Sequence, residues 1–220
     1  MDSLKYYLAV SVYRHKSLCP RQVLGVRIGL AGAEALGVTV PRDDKRLLVI
    51  VETDGCFVSG VEAVTGCAVS HRTLRVEDYG KVAATFVDVD SGRAMRVATR
   101  QDIRQHARDY APEEKRRYYA MLKGYQAMPT QELLSVKEVV LTTPIETIVS
   151  RAGVRVNCDS CGEEIINERE VTHDDRVLCR ACANPTYYQT VSSRDLLAEL
   201  SLSDALVTIE KQLGSVDISL

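Results

Sequence analysis

Four cysteines in two pairs, Cys158-Asp-Ser-Cys161 and Cys179-Arg-Ala-Cys182, carry the plainest chemistry in this chain of 220 residues. Each CxxC turns both sulfurs the same way, and two pairs separated by a loop of zinc-finger length supply four soft ligands for one tetrahedral zinc ion. Such a closed set leaves no position for substrate, so the site is read as structural. Two disulfides would need an oxidising compartment. Met1-Asp2-Ser3-Leu4-Lys5 shows no charged segment running into an apolar one, so no secretory signal is visible and a cytoplasmic location is expected. Redox CxxC motifs usually come singly, and iron–sulfur motifs usually lack the two-pair symmetry, which leaves zinc as the preferred ion.

Three further cysteines, Cys19, Cys56 and Cys67, lie outside this module. Cys19 precedes Pro20, and proline both disfavours helix at the residue before it and suits the first helical position. Cys19 is therefore expected at the cap of a helix that begins at Pro20. A thiol there faces free amides and the positive helix end, which predicts a lowered pKa and a thiolate ready for nucleophilic or ligand work. Cys56 follows a buried-strand run, Arg46 to Thr53, and opens a helical stretch, so it occupies the usual functional end of α/β structure. If Cys56 and Cys67 stand at the two ends of that helix, roughly 16 Å separates them and they cannot share an ion. His15 lies near Cys19 in sequence. The candidate catalytic and metal-binding set is accordingly His15, Cys19 and Cys56, with Cys67 a second choice.

The elements that must position these residues can be read in order. Leu4 to Tyr13 and Pro20 to Leu36 are helical in pattern, and Gly25, Gly29 and Gly32 recur at helical spacing in the second. Each glycine lowers helix stability by roughly 1 kcal/mol relative to alanine, so close approach of another backbone is expected to compensate. A helix over Phe57 to Val64 follows the first strand. Strands are expected over 72–76 and 81–89, the latter forming a hairpin with 94–98 across Asp90-Ser91-Gly92. Helices over 101–110 and 112–127 come next, and 132–141 begins helical and ends as a strand. Beyond the finger, a linker over 184–190 leads to a capped amphipathic stretch from Ser192 to Leu213, which must dock on its own protomer or a partner. The expected domains are a core over 1–150, a zinc finger over 151–185 and a helical tail over 186–220.

Composition excludes several roles. With 45% hydrophobic and 26% charged residues the chain can bury one substantial core, and its net charge of -2 provides no general basic field. Lys115-Arg116-Arg117 adjoins Glu113 and Glu114. In the finger, Arg151, Arg155, Arg169, Arg176 and Arg180 are offset by Glu163, Glu164, Glu168, Glu170, Asp174 and Asp175, so a nucleic-acid partner ranks last. No apolar run approaches the ~20 residues that span a bilayer.

Several short motifs in matching order resemble the E-subunit family of formylmethanofuran dehydrogenase. These are His15-x-x-x-Cys19-Pro20-x-x-x-Leu24-Gly25-x-Arg27, Glu52-Thr53-Asp54-x-Cys56, Thr65-Gly66-Cys67, Tyr79-Gly80-Lys81 and the two CxxC pairs, together spanning about residues 1–183. The resemblance implies an α+β fold: a thioredoxin-like mixed sheet flanked by helices, followed by a small treble-clef zinc finger. It also implies a metal-binding active site in the core at the positions of His15, Cys19 and Cys56, and association with a molybdenum or tungsten oxidoreductase. Two departures stand out. Ser17 replaces the family's second histidine, and Ser70-His71-Arg72-Thr73 replaces its Gly-Lys-Gly-Asn, so that His71 is a candidate imidazole.

Two functional readings follow. In the first, zinc at His15, Cys19 and Cys56 polarises a carbonyl or activates water or thiol, with Asp54 and His71 as candidate bases. In the second, the protein is a non-catalytic accessory whose finger and tail dock a partner oxidoreductase or a second copy in a homodimer.

Overall fold

A computed structural model describes residues 3–191. The chain divides into two units with the boundary after Val149. The expected helix from Ser192 to Leu213 lies outside the described residues.

The first unit opens with α1 (Ser3–His15) and α2 (Pro20–Leu36), then β1 (Leu47–Val51), α3 (Cys56–Thr65) and β2 (Leu74–Val76). The hairpin of β3 (Ala83–Asp88) and β4 (Ala94–Thr99) follows, then α4 (Ile103–His106), α5 (Arg117–Ala127), α6 (Thr130–Leu133), β5 (Leu134–Val139) and α7 (Ile145–Val149). The sheet order is β2-β1-β3-β4-β5. β1 and β2 are parallel, with Val49 opposite Leu74, and the other pairings are antiparallel. A parallel βαβ pair continued on its other side by an antiparallel hairpin is the thioredoxin-like arrangement that the sequence motifs imply. β2 and β3 therefore flank β1 rather than pairing with each other.

Strand alternation sorts the core. Leu47, Val49 and Val51 face the helical layer, where they join Val23, Ile28, Phe57 and Phe86. Leu48 packs on the opposite face with Val87 and Ala94, covered by Ile145 and Ile148 of α7. This two-residue period places each side of β1 against a different layer.

The glycines of α2 do what their spacing predicts. A β-carbon on Gly25 would stand 2.2 Å from the Phe57 carbonyl oxygen, and one on Gly60 of α3 would stand 2.4 Å from the Gln22 carbonyl oxygen. Farther along, Gly29 faces Val64. Because residue numbers rise together along both helices, α2 and α3 run in the same direction and their N-termini lie at the same end.

The helices expected over 101–110 and 112–127 are shorter in the structure. A β-carbon on Gly124 would meet the Ala107 carbonyl oxygen at 2.2 Å, and Ala107 and Ala111 are both buried. The chain from α4 to α5 folds back to make that contact, and tertiary packing overrides local helix preference.

The second unit holds two small hairpins, β6 (Arg155–Asn157) with β7 (Glu164–Ile166) and β8 (Val171–His173) with β9 (Arg176–Leu178), followed by α8 (Arg180–Ala183). Among its described residues only Cys158 and Ile165 are buried hydrophobics. No helix among the described residues is long and apolar enough to cross a membrane.

Candidate functional site

The two core thiols meet because their helices do. Cys19 is the N-cap of α2, with extended backbone at φ -125° and ψ 160° and Pro20 behind it. Gln22 closes a capping box in which a cysteine stands where serine usually does: its Oε1 accepts the Cys19 backbone N–H at 2.9 Å, and its own amide faces the Cys19 sulfur. Gln22 is fully buried and its Nε2 donates to Ser11 Oγ at 3.0 Å, which ties the cap to α1. Cys56 is the first residue of α3 and follows Gly55, whose φ of 75° and ψ of -151° suit glycine.

The strand exit before Cys56 is held from two sides. Tyr79 and Lys81 both donate backbone N–H groups to the Glu52 carbonyl at 3.0 Å, so the Tyr79-Gly80-Lys81 motif braces the Glu52-Thr53-Asp54 motif. The Glu52 carboxylate is buried and accepts both Nε and an Nη of Arg96 at 2.5 and 2.7 Å.

At the converging helix ends the Cys56 thiol is within hydrogen-bonding reach of Cys19. The expected lowering of the Cys19 pKa does not occur. Burial pushes this thiol up and outweighs the Gln22 amide that opposes it, and the neighbouring Cys56 raises it further. Tyr118 stands beside the pair, its hydroxyl donating to the Leu18 carbonyl at 3.4 Å. Burial and then the two thiols raise the pKa of that phenol. Cys19, Leu24, Tyr118 and Met121 line a cavity of about 560 Å³.

The other sequence candidates separate. His15 ends α1 four positions before Cys19, and its side chain is outside the described set. Asp54 is exposed in the loop entering α3. Cys67 is buried beyond the far end of α3 and donates its thiol to the Leu47 carbonyl at 3.3 Å, a packed core group. His71 lies at the edge where β1 and β2 begin, whereas Cys56 follows the edge where β1 ends. A five-residue strand places these edges roughly 16 Å apart, so His71 does not join the thiols.

In the second unit the four finger cysteines form a cluster with all four sulfurs within 4.8 Å of one another, and Cys161 Sγ is 3.9 Å from Cys179 Sγ. A tetrahedron with Zn–S bonds of about 2.3 Å has edges of about 3.8 Å, so the donor set fits zinc. Cys158 and Cys161 form a knuckle between β6 and β7. Cys179 caps α8, and Cys182 lies within that helix. This is the treble-clef layout. Backbone N–H groups of Cys161, Cys179 and Ser160 reach the Cys158 sulfur and hold its pKa down at about 6, whereas the crowding thiols push Cys161 up to about 12. Amides aimed at sulfur favour the thiolate that a metal requires. Arg151 and Arg155 pair with Glu168 and Glu164, which neutralises part of the finger's positive charge.

The family described as "FmdE, Molybdenum formylmethanofuran dehydrogenase operon" matches residues 14–149. The chain belongs to the FmdE family. It is 28% identical over 199 residues to a "Probable S-adenosyl-L-methionine-binding protein" of Archaeoglobus fulgidus, a match covering 80% of this chain and 52% of that protein. The chain thus spans about half the length of this curated relative. A crystal structure of an FmdE-like protein of tungsten formylmethanofuran dehydrogenase from Syntrophus aciditrophicus superposes with a TM-score of 0.54 at 20% identity, covering 84% of this chain and 95% of that one. That likeness establishes the fold.

Within this FmdE-family chain, the structure adds site residues that motif reading passes over. Gln22 was legible as the third residue of a capping box, had cysteine been admitted in the place of serine. Arg27, part of the family motif, is buried and donates to the Tyr125, Gln126 and Met128 carbonyls at 2.9, 3.2 and 2.9 Å, clamping the C-terminal end of α5 onto α2. Tyr118 then reaches the thiols from the other end of α5, and no spacing rule connects it to them.

Proposed function

We propose that this FmdE-family protein acts through a core metal-thiol centre at His15, Cys19 and Cys56, while the four finger cysteines hold a structural zinc ion. The observation that carries this reading is the meeting of the Cys19 and Cys56 thiols at the converging starts of α2 and α3, on the wall of a cavity. Two soft donors from rigid helix ends, with an imidazole-bearing residue ending the neighbouring helix, suit a metal whose remaining position opens to substrate. Zinc bound there would polarise a carbonyl or activate water or a thiol. Gln22 orients Cys19, Gly55 sets the approach of Cys56, and the Tyr118 phenol, kept protonated by its raised pKa, is placed to donate a hydrogen bond or a proton.

Metal content per chain tests the reading. The wild type should hold two equivalents of zinc and the Cys19→Ser/Cys56→Ser double variant one. One equivalent in both would remove the core centre.

The family's link to a dehydrogenase operon favours a second reading, in which the chain is an accessory protein that docks an oxidoreductase, or a second copy of itself, through its finger and residues 186–220. Chains truncated after 185 would then lose co-purification with that partner, or shift from dimer to monomer in light scattering, while retaining both metals.

A further inference from the structure

We propose that the cavity beside Cys19 receives a small organic anion with an apolar body, Arg100, Arg104 and Arg117 holding its phosphate or carboxylate and Leu24, Ile103 and Met121 contacting the rest. The inference deepens the reading of Cys19 and Cys56 as the reacting centre and rests on it for the site of reaction.

Charge is the first ground. The whole chain carries 28 Lys and Arg against 30 Asp and Glu, yet this one cavity is lined by Arg21, Arg100, Arg104 and Arg117 with a single carboxylate, Asp102. Among the described residues none of the four arginines forms an ion pair. The held ones are held by neutral groups: Arg100 Nε donates to the Leu134 carbonyl at 3.1 Å, and Arg104 hydrogen-bonds the Tyr125 phenol. Their charge is therefore oriented but not compensated. A second depression of about 390 Å³ shares Arg104 and Arg117 with the first and adds Arg108, which extends the cationic wall.

Placement is the second ground. Arg21 is the second residue of α2, and Arg117 is the first of α5; neither helix has an acidic residue in its first turn. Cations at helix N-termini oppose the helix dipole and are locally unfavourable. A sequence that breaks this rule twice on one cavity wall, with two positive helix ends already directed there, builds a potential that a bound anion relieves.

Shape is the third ground. The arginines are exposed at the rim while Leu24 and Ile103 are buried at the floor and Met121 is partly buried. A volume of about 560 Å³ falls in the usual range for small-molecule sites. Guanidinium pairs suit the planar and tetrahedral oxygens of carboxylate and phosphate alike.

Calorimetry on the full zinc-loaded chain tests this with three probes of similar apolar body: phenyl phosphate, 3-phenylpropionate and neutral 3-phenylpropanol. At least one anion should bind at least about tenfold more tightly than the alcohol, and the preference should vanish in the Arg100→Gln/Arg104→Gln/Arg117→Gln variant. Preference for phenyl phosphate would assign a phosphoryl ligand, and preference for the acid a carboxylate. Equal binding of all three, no binding of either anion, or an unchanged preference in the variant would overturn the inference. So would tighter, length-dependent binding of single-stranded oligonucleotides through the same arginines. Failure of the metal reading is separable: the Cys19→Ser/Cys56→Ser variant should keep the anion preference while its metal content changes.

Discussion

Asp88 shows how one carboxylate can fix a corner of the sheet. It ends β3, and its side chain accepts Arg46 Nε and Nη2 at 2.8 and 3.0 Å and the Ser91 hydroxyl at 2.8 Å. The Arg46 guanidinium, then burial acting the other way, then Ser91 set its pKa, and the net result is a carboxyl well below the ordinary range. A group whose folded pKa is depressed stabilises the fold fully above its unfolded value and loses that contribution as the pH falls toward the folded one. Arg46 is partly solvated, so screening limits the pair. Asp88→Asn should cost roughly 1–2 kcal/mol at pH 7 in urea denaturation, and the gap between variant and wild type should narrow once the pH drops below about 4. The sign of the Cys19 shift belongs to the same scale. Helix-end amides were visible in Cys19-Pro20, but the burial that outweighs them depends on what α3 and α5 bring alongside.

At the scale of elements, the α2–α3 contact decides where the thiols lie. Gly60→Ala would set a β-carbon 2.4 Å from the Gln22 carbonyl oxygen and 2.7 Å from the Val26 nitrogen, and main-chain atoms cannot swing aside. The helices must separate, at a cost of roughly 2–3 kcal/mol or about 5–10 °C in Tm. Since Gln22 orients Cys19, the same substitution should lower core zinc while leaving finger zinc in place, read by metal analysis beside the melting curve. Much of this layer was legible: Gly25, Gly29 and Gly32 announced a backbone neighbour, and the apolar run ending at Val51 announced β1. The break between α4 and α5 was not, because the Ala107–Gly124 contact joins residues whose local pattern is helical on both sides. The arginine-lined cavity was also hidden. Arg21, Arg100 and Arg117 come from three segments, and only the sheet and Arg27 bring those segments to one place.

At the scale of the molecule, the two units are stabilised by different means. Residues 3–149 bury two apolar layers on β1, whereas the described part of the second unit buries only Cys158 and Ile165 as hydrophobic residues. A unit with so little core depends on its metal. Chelation should therefore release the amides of residues 155–178 to rapid hydrogen exchange while β3 in the first unit keeps its protection; equal protection before and after zinc removal would contradict that dependence. The CxxC spacing made the metal site readable from sequence, because four ligands within a short span leave few geometries open. The core site is assembled from separated segments, and its motifs signalled candidate residues without showing which of them meet.

Arg27 has a consequence for how the cavity keeps its shape. One guanidinium on α2 binds three successive chain-end carbonyls of α5, so the helix that carries Cys19 also fixes the helix that carries Arg117 and Tyr118. Thiol and opposing wall are thus referred to a common datum, and the tolerance between them is that of hydrogen bonds rather than of loops. A drift of α2 against the sheet would carry both along as one jaw, leaving the gap across which a ligand is gripped unchanged.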